Sequence, residues 1–188
     1  IDPISGTRVF LEGLPHYGIV VSYLHRGRVE FAAVYDPSAE ILYTAQRNKG
    51  ANRNGQKISV QQSVSEKPTI LLNLSQAWKD TQVANKLVNM LSNFEVDSTP
   101  RSHAVNDCLV ASGEYPGVLS LAKDSFPYFA SSLIIQEAGG QYTNIDGGKN
   151  IDYRDRVFLG GTKVLFQKLK AVVEKLEIPL KAKSGTLQ

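Results

Sequence analysis

Ile1-Asp2-Pro3-Ile4-Ser5-Gly6-Thr7 opens the chain, and how this stretch is read decides the fold. Asp2 offers hard carboxylate oxygens for a cation, and Pro3 stiffens a turn beside it. The Ile4 carbonyl is expected to point toward whatever Asp2 holds. Gly6 and Thr7 are suited to start a helix whose free N–H groups receive a phosphate. Ser5, however, stands where a second carboxylate would complete a strong metal motif. Taken alone, Asp-Pro and Ser-Gly also read simply as markers of a turn.

The neighbouring residues add to this. Gly13-Leu14-Pro15-His16-Tyr17 follows closely, then Val34-Tyr35-Asp36-Pro37, and then Lys49-Gly50-Ala51 with Asn54-Gly55 and Ile58-Ser59-Val60. Cys108-Leu109-Val110-Ala111-Ser112-Gly113 and Glu137-Ala138-Gly139-Gly140 lie further on. In this order the segments resemble the inositol monophosphatase family. Its signature reads D-P-x-D-G-T and then G-[FLM]-P-x-[FY], followed by a V-Y-D-P turn and a G-G-A-x-x-N-G-x-x-I-x-V hairpin. The resemblance runs from Ile1 to about Leu176, and the ordered set is far more specific than any one segment.

Composition is compatible with this. A chain of 188 residues has room for one domain or two small ones with a real core. Its net charge of +3 is mild, and much of it lies late, in Lys163, Lys168, Lys170, Lys175, Lys181 and Lys183. That distribution suits a solvated helix face and tail. There is no dense basic stripe or aromatic stacking platform, so no nucleic-acid partner is expected. The single cysteine, Cys108, excludes an internal disulfide and sits in an apolar run as a buried small hydrophobe. No apolar run reaches membrane-spanning length and no secretory signal is visible. The expectation is a soluble protein of the cytoplasm or an organelle interior, without a membrane partner. The chain begins at Ile1 rather than Met, inside what the resemblance makes a mid-protein strand. The resemblance thus implies an upstream helical and strand segment, removed by processing or truncation or supplied by another chain.

Along the chain, Arg8 to Leu11 is a short amphipathic stretch ended by Gly13 and Pro15. Gly18 to Leu24, Val29 to Tyr35 and Ile41 to Gln46 read as strands, and Asn54-Gly55 is a hairpin signal before Lys57 to Val60. Four strands on short turns predict an antiparallel meander. After a polar bridge from Gln61 to Pro68 the pattern changes. Ile70 to Leu74, Phe94 to Val96, Val118 to Leu121 and Val157 to Leu159 read as strands. Helices are predicted from Asp80 or Thr81 through Leu87, Met90 and Leu91, over His103 to Ser112, over Pro127 to Ala138, and from Thr162 through Leu165, Leu169, Val172, Val173 and Leu176. This α/β alternation places a boundary near Gln61. Residues 1–60 then form the remainder of an antiparallel-sheet domain, residues 61–180 a C-terminal α/β domain, and residues 181–188 a tail. The resemblance implies the same class: an α+β, layered αβαβα sandwich with the active site between its halves.

Family members hydrolyse phosphate monoesters with two or three Mg²⁺ ions, which neutralise the phosphate and acidify the attacking water. The resemblance implies four acidic ligand positions: an upstream Glu, the two Asp residues of the opening motif, and the Asp of a W-D pair before E-A-G-G. Carried onto this chain, Asp2 matches the first motif Asp, and the Ile4 carbonyl a backbone ligand. Gly6 and Thr7 match the phosphate-binding and water-orienting pair, which would make Thr7 catalytic in an active enzyme. Ser5 replaces the second Asp. Phe126 and Pro127 fall on the W-D pair, and Ser120 falls where many members place a Glu that contacts substrate hydroxyls. The upstream Glu lies outside the chain. Each lost carboxylate forfeits roughly 4 kcal/mol of attraction at ~4 Å and an effective dielectric near 20. Asp124 either swings toward the metal site or caps the helix that Pro127 begins.

Other polar residues carry less. His16 lies in a turn where the family tolerates a His, and a packing or hydrogen-bonding role is expected. His103 replaces a small residue and narrows the pocket. Asn106 is neutral, Asp107 is the only acid in its segment, and Asp146-Gly147-Gly148 reads as a tight turn. Two functions follow. One is a catalytically impaired family member, serving as a structural or regulatory subunit or as a phosphate-ligand binder. The other is an active Mg²⁺-dependent phosphomonoesterase acting on an inositol phosphate, a sugar phosphate or a nucleotide 3′-phosphate. A phosphorylated small molecule is the expected ligand, and a protein partner covering the N-terminal face is a further expectation.

Overall fold

A computed structural model describes residues 1–74, 85, 87, 89–122, 125–144 and 155–175 of the chain. The alternating N-terminal half forms β1 (Asp2–Ser5), β2 (Gly18–His25), β3 (Arg28–Asp36), β4 (Ile41–Gln46), β5 (Gly50–Arg53) and β6 (Gln56–Ile58), an antiparallel sheet ordered as in the chain. The meander is therefore six-stranded rather than four-stranded. Its extra members are short strands that apolar periodicity does not reveal. Asp2 to Ser5, expected as a turn, is an edge strand paired to β2 through Asp2↔Val20 and Ser5↔Gly18. Pro3 is compatible with this because an edge strand keeps one side free of ladder bonds. The turn comes one step later, at Gly6, whose φ of 79° leads into α1 (Thr7–Leu11).

The second sheet is mixed. β7 (Thr69–Leu74) lies between β8 (Glu95–Asp97) and β9 (Gly117–Leu121), parallel to both, while β11 (Val157–Gly161) and β10 (Gln141–Asn144) continue antiparallel. The polar sequence of β10 hides it from pattern reading, and pairing along β11 creates it. The helices are α2 (His103–Ala111), α3 (Phe126–Glu137) and α4 (Lys163–Val173). Thr162 caps α4 by accepting the Leu165 N–H at 3.3 Å. Of the helix expected from Asp80 or Thr81, the described Leu87 and Leu91 are buried. Its start, Asp124, Asp146-Gly147-Gly148, Leu176 and the tail lie outside the described residues.

α2 and α3 are packed between the two sheets. Val20, Val34 and Tyr43 of the first sheet share one core with Cys108 of α2, Leu133 and Ile134 of α3, and Leu71 and Phe158 of the second sheet. The opposite face of the second sheet presents Ile70, Leu72, Leu119 and Leu159 to Leu165, Phe166 and Leu169 of α4. Strand alternation explains how Leu71 joins one core while its neighbours Ile70 and Leu72 join the other. The layers read β-α-β-α. The outer face of the first sheet has no layer over it among the described residues, and leaves Ile19, Tyr23, Phe31 and Leu42 exposed. Cys108 is a buried free thiol, and no described helix is long and apolar enough to cross a membrane.

One acid sits inside this core. Asp107 is fully buried; its Oδ2 accepts the Tyr142 hydroxyl at 3.2 Å, and its Oδ1 has no partner. Burial pushes its carboxyl up to about 7, against the lowering effect of the nearby Ser131 and Tyr142 hydroxyls. Because the folded pKa exceeds the unfolded one, the folded state holds a proton that the unfolded state has lost above about pH 4. Stability on this account falls as pH rises from about 4 to about 7, by roughly 4 kcal/mol in total for a shift of about three units. Urea unfolding should therefore show Asp107→Asn gaining on the wild type by several kcal/mol between pH 4 and pH 8. A constant difference across that range would show that Asp107 is not held as the neutral acid.

Candidate ligand cleft

The residues singled out in the opening stretch converge on one cleft of about 1210 Å³. Asp2, Ile4, Ser5, Gly6 and Thr7 form one wall, and α2 contributes His103 and Asn106. The chain leaving β8 supplies Ser98 to Arg101, β7 supplies Leu72 to Leu74, and the chain beyond β9 supplies Ala122. Phe126, Pro127 and Tyr128 at the start of α3 complete it. The carboxyl ends of three strands in parallel register thus open into the same space, the usual place for a ligand in an α/β sheet.

Gly6 is required at its corner. It sits at φ 79°, and a Cβ there would lie 3.0 Å from the Ser102 Cα. The β1–α1 turn therefore packs directly on the start of α2. Ser5 is buried at 2 % exposure, and its hydroxyl accepts a hydrogen bond from the Ser102 hydroxyl at 3.0 Å. Thr7 donates its hydroxyl to the Ile4 carbonyl at 2.9 Å, closing the turn on itself. Arg8 and Glu12 pair with each other at 2.7 Å. Asp2 has a half-exposed carboxylate with no hydrogen bond or ion pair to a described residue.

The described residues do not by themselves make up a Mg²⁺ site. No group of three or more His, Cys, Asp or Glu able to hold a metal occurs among the described residues. Ser5 spends its hydroxyl on Ser102, and Pro127, in the first turn of α3, has no donor atom. Asp2 and the Ile4 carbonyl are what the opening motif still offers.

Behind the cleft lies a polar chain that the sequence did not announce. Arg101 Nη1 donates to Asn106 Oδ1 at 3.4 Å, Asn106 Nδ2 donates to Asn73 Oδ1 at 2.6 Å, and Asn73 Nδ2 donates to the Ser120 hydroxyl at 2.9 Å. Ser120 is fully buried at the far end of this chain and does not line the cleft, so Asn73 stands between it and a ligand. Arg101 also donates to Asp97 Oδ2 at 3.4 Å. Burial works against the Asp97 charge, but hydrogen bonds from Thr99 and Tyr115, with Arg101 beside them, hold its carboxyl well below the usual range. The available signal was Asn73, a polar residue inside the apolar strand Leu71-Leu72-Asn73-Leu74.

The two histidines part company. His16 is outside the cleft lining; its Nδ1 lies 2.7 Å from Asp36 Oδ2, and its carbonyl accepts the Ser102 N–H at 2.8 Å. It ties the Asp36-Pro37 turn to the start of α2. His103 lines the cleft with Nδ1 2.5 Å from the Tyr128 hydroxyl. Burial lowers its pKa to about 4, so it is neutral at physiological pH. Glu137, of the Glu-Ala-Gly-Gly segment, accepts the N–H groups of Asn48 and Gly50 at 2.8 and 2.9 Å. Two segments recognised separately along the sequence therefore hold each other.

Comparison with known proteins agrees with this architecture. The chain is 29 % identical over 187 residues to the Nus factor SuhB of Escherichia coli (strain K12), covering 96 % of the chain and 69 % of that protein. It is 32 % identical over 152 residues to the Nus factor SuhB of Pasteurella multocida, covering 79 % of the chain and 57 % of the relative. Among solved structures, the inositol monophosphatase from Anabaena (Nostoc) superposes with a TM-score of 0.82 at 22 % identity, covering 96 % of this chain and 71 % of that one. The extragenic suppressor protein suhB from Bartonella henselae gives 0.82 at 22 % identity, covering 93 % and 67 %. At such identity these superpositions establish the fold. The model of the inositol monophosphatase family matches residues 1–177, and the chain belongs to that family.

Proposed function

We propose that this family member binds a phosphorylated small molecule in the cleft without metal-dependent hydrolysis, as a phosphate-ligand binder or a regulatory subunit. One observation carries the reading: Ser5 is buried against Ser102 where a second motif carboxylate would face the cleft. Pro127 at the start of α3 supports it. A cleft with so few carboxylates pays little to desolvate and holds a divalent cation weakly, because Mg²⁺ gives up its water only to strong oxygen donors. Gly6 and Thr7 face the cleft, but α1 is only five residues long, so its dipole adds little at its N-terminus.

The Asp2 carboxylate is the specific observation favouring the alternative, an active Mg²⁺-dependent phosphomonoesterase on an inositol phosphate, sugar phosphate or nucleotide 3′-phosphate. In it Thr7 is catalytic, Asp2, the Ile4 carbonyl and Asp124 hold the metal, and Ser120 contacts substrate hydroxyls only if Asn73 moves. Phosphate-release assays with inositol phosphates, fructose bisphosphate and phosphoadenosine phosphate separate the two. The expected result is no Mg²⁺-dependent turnover above a protein-free control, and no saturable Mg²⁺ binding by calorimetry at millimolar concentration. Clear metal-dependent turnover that Asp2→Asn and Asp124→Asn each abolish establishes the phosphatase instead.

The sheet face left open among the described residues supports a structural role beside ligand binding. Ile19, Tyr23, Phe31 and Leu42 share the face opposite the core through the registers Ile19↔Tyr35, Tyr35↔Leu42 and Tyr23↔Phe31. An apolar face of this kind is costly in water and suits cover by another polypeptide. The relatives named Nus factors give no support to the expectation that nucleic acid plays no part. Light scattering should find the isolated chain prone to self-association, and Tyr23→Lys with Phe31→Glu should restore a monodisperse monomer. A wild-type chain that is already monodisperse argues against the cover.

A further inference from the structure

Arg101 is the cleft's most prepared cation. Its side chain is 18 % exposed; Nη1 donates to Asp97 and to Asn106, each at 3.4 Å, and the Tyr115 hydroxyl lies against the guanidinium. Nε and Nη2 make up the other edge of the fork, the geometry that receives two oxygens of one anion. The mount is rigid. Asp97 is itself filled by the Thr99 N–H and hydroxyl on Oδ1 and the Tyr115 hydroxyl on Oδ2. On the other side every donor in the chain from Arg101 through Asn106 and Asn73 to Ser120 points the same way. Each bond polarises the next, which draws density toward Arg101 and fixes both amides in one orientation. Elsewhere in the described lining, Arg8 and Glu12 cancel, leaving Asp2 as the other charge.

We propose that Arg101 is the anion anchor of the cleft, receiving the phosphate oxygens of a phosphomonoester directly on its guanidinium, with no metal between them. This rests on the phosphate-binding reading above and names the residue that makes it work. Asp97 is then a positioning residue, and Ser120 acts from behind by terminating the chain that orients Asn73 and Asn106. Asp2 opposes the bound anion, so its removal strengthens binding.

Calorimetric titration of the full chain with inorganic phosphate and with inositol 1-phosphate, in EDTA, tests the assignment. Saturable binding is expected, weakened at least tenfold by Arg101→Gln and tightened by Asp2→Asn. Arg101→Lys keeps the charge but loses the fork and is expected to fall several-fold; it decides the matter if Arg101→Gln fails to fold. Asp97→Asn should weaken binding while leaving the urea midpoint of Arg101→Gln and its own within the same range. Binding that Arg101→Gln and Arg101→Lys leave unchanged overturns the anchor while the phosphate-binding reading survives. Binding that appears only with Mg²⁺ overturns both, as does no binding under any condition.

Discussion

Two β-sheets bury a face against the same pair of helices, and the rest of the molecule follows from that constraint. Leu133, Ile134 and Ile135 of α3 are fully buried, each contributing about 1.5–3 kcal/mol on removal from water. Because α3 must meet both sheets, its ends are pinned by contacts far apart in sequence. Glu137 holds the Asn48–Gly50 turn at one end, and Phe126 and Pro127 reach the cleft at the other. The start of α2 is pinned in the same way, since Ser102 meets Gly6, the Ser5 hydroxyl and the His16 carbonyl. The cleft is the space left where these pinned ends and the carboxyl ends of the parallel strands meet.

Among the described residues its polar lining is amides, hydroxyls, the Arg101 guanidinium, the Asp2 carboxylate and the paired Arg8 and Glu12 rather than clustered carboxylates. In a metal-dependent site the shared cation offsets the mutual repulsion of the carboxylates it gathers. Here polar groups satisfy one another: Ser5 accepts from Ser102, and behind the cleft Asn73 bonds to Asn106 and Ser120. Such a lining is stable without an ion because its buried polar atoms have partners. Neutral His103, held by Tyr128, adds shape without charge. Asp107, fully buried, lies in the helix layer beside Tyr142, and its destabilised charge belongs to the core rather than to the cleft.

The sequence was legible where residues act locally or in fixed spacing. The β-branched and aromatic runs of β2, β3 and β4 read as strands, Thr162 caps α4, and the Asp36-Pro37 and Asn54-Gly55 turns close the meander, although the core face of β3 is Val29, Ala32 and Val34 rather than the face of Phe31 and Tyr35. The segments matching the inositol monophosphatase signature were enough to place the chain in its family and layered fold. That Ser5 and Pro127 stand where the family places carboxylates is an expectation from the resemblance, since it depends only on which side chain occupies a motif position.

Elements made by pairing were not legible. β1 and β10 are strands only because β2 and β11 offer them free ladder bonds, and neither Asp-Pro-Ile-Ser nor Gln-Tyr-Thr-Asn carries an apolar pattern of its own. Site chemistry that depends on juxtaposition was equally hidden. Asn106 read as a neutral residue and Arg101 gave no signal, until β7, β8, β9 and α2 brought Asn73, Asp97 and Ser120 into one chain with them. Residue identity and spacing by themselves determined the family and the fold class. Only the tertiary structure decided which polar groups meet in and behind the cleft, because hydrogen bonds between residues dozens of positions apart exist only once the layers are packed.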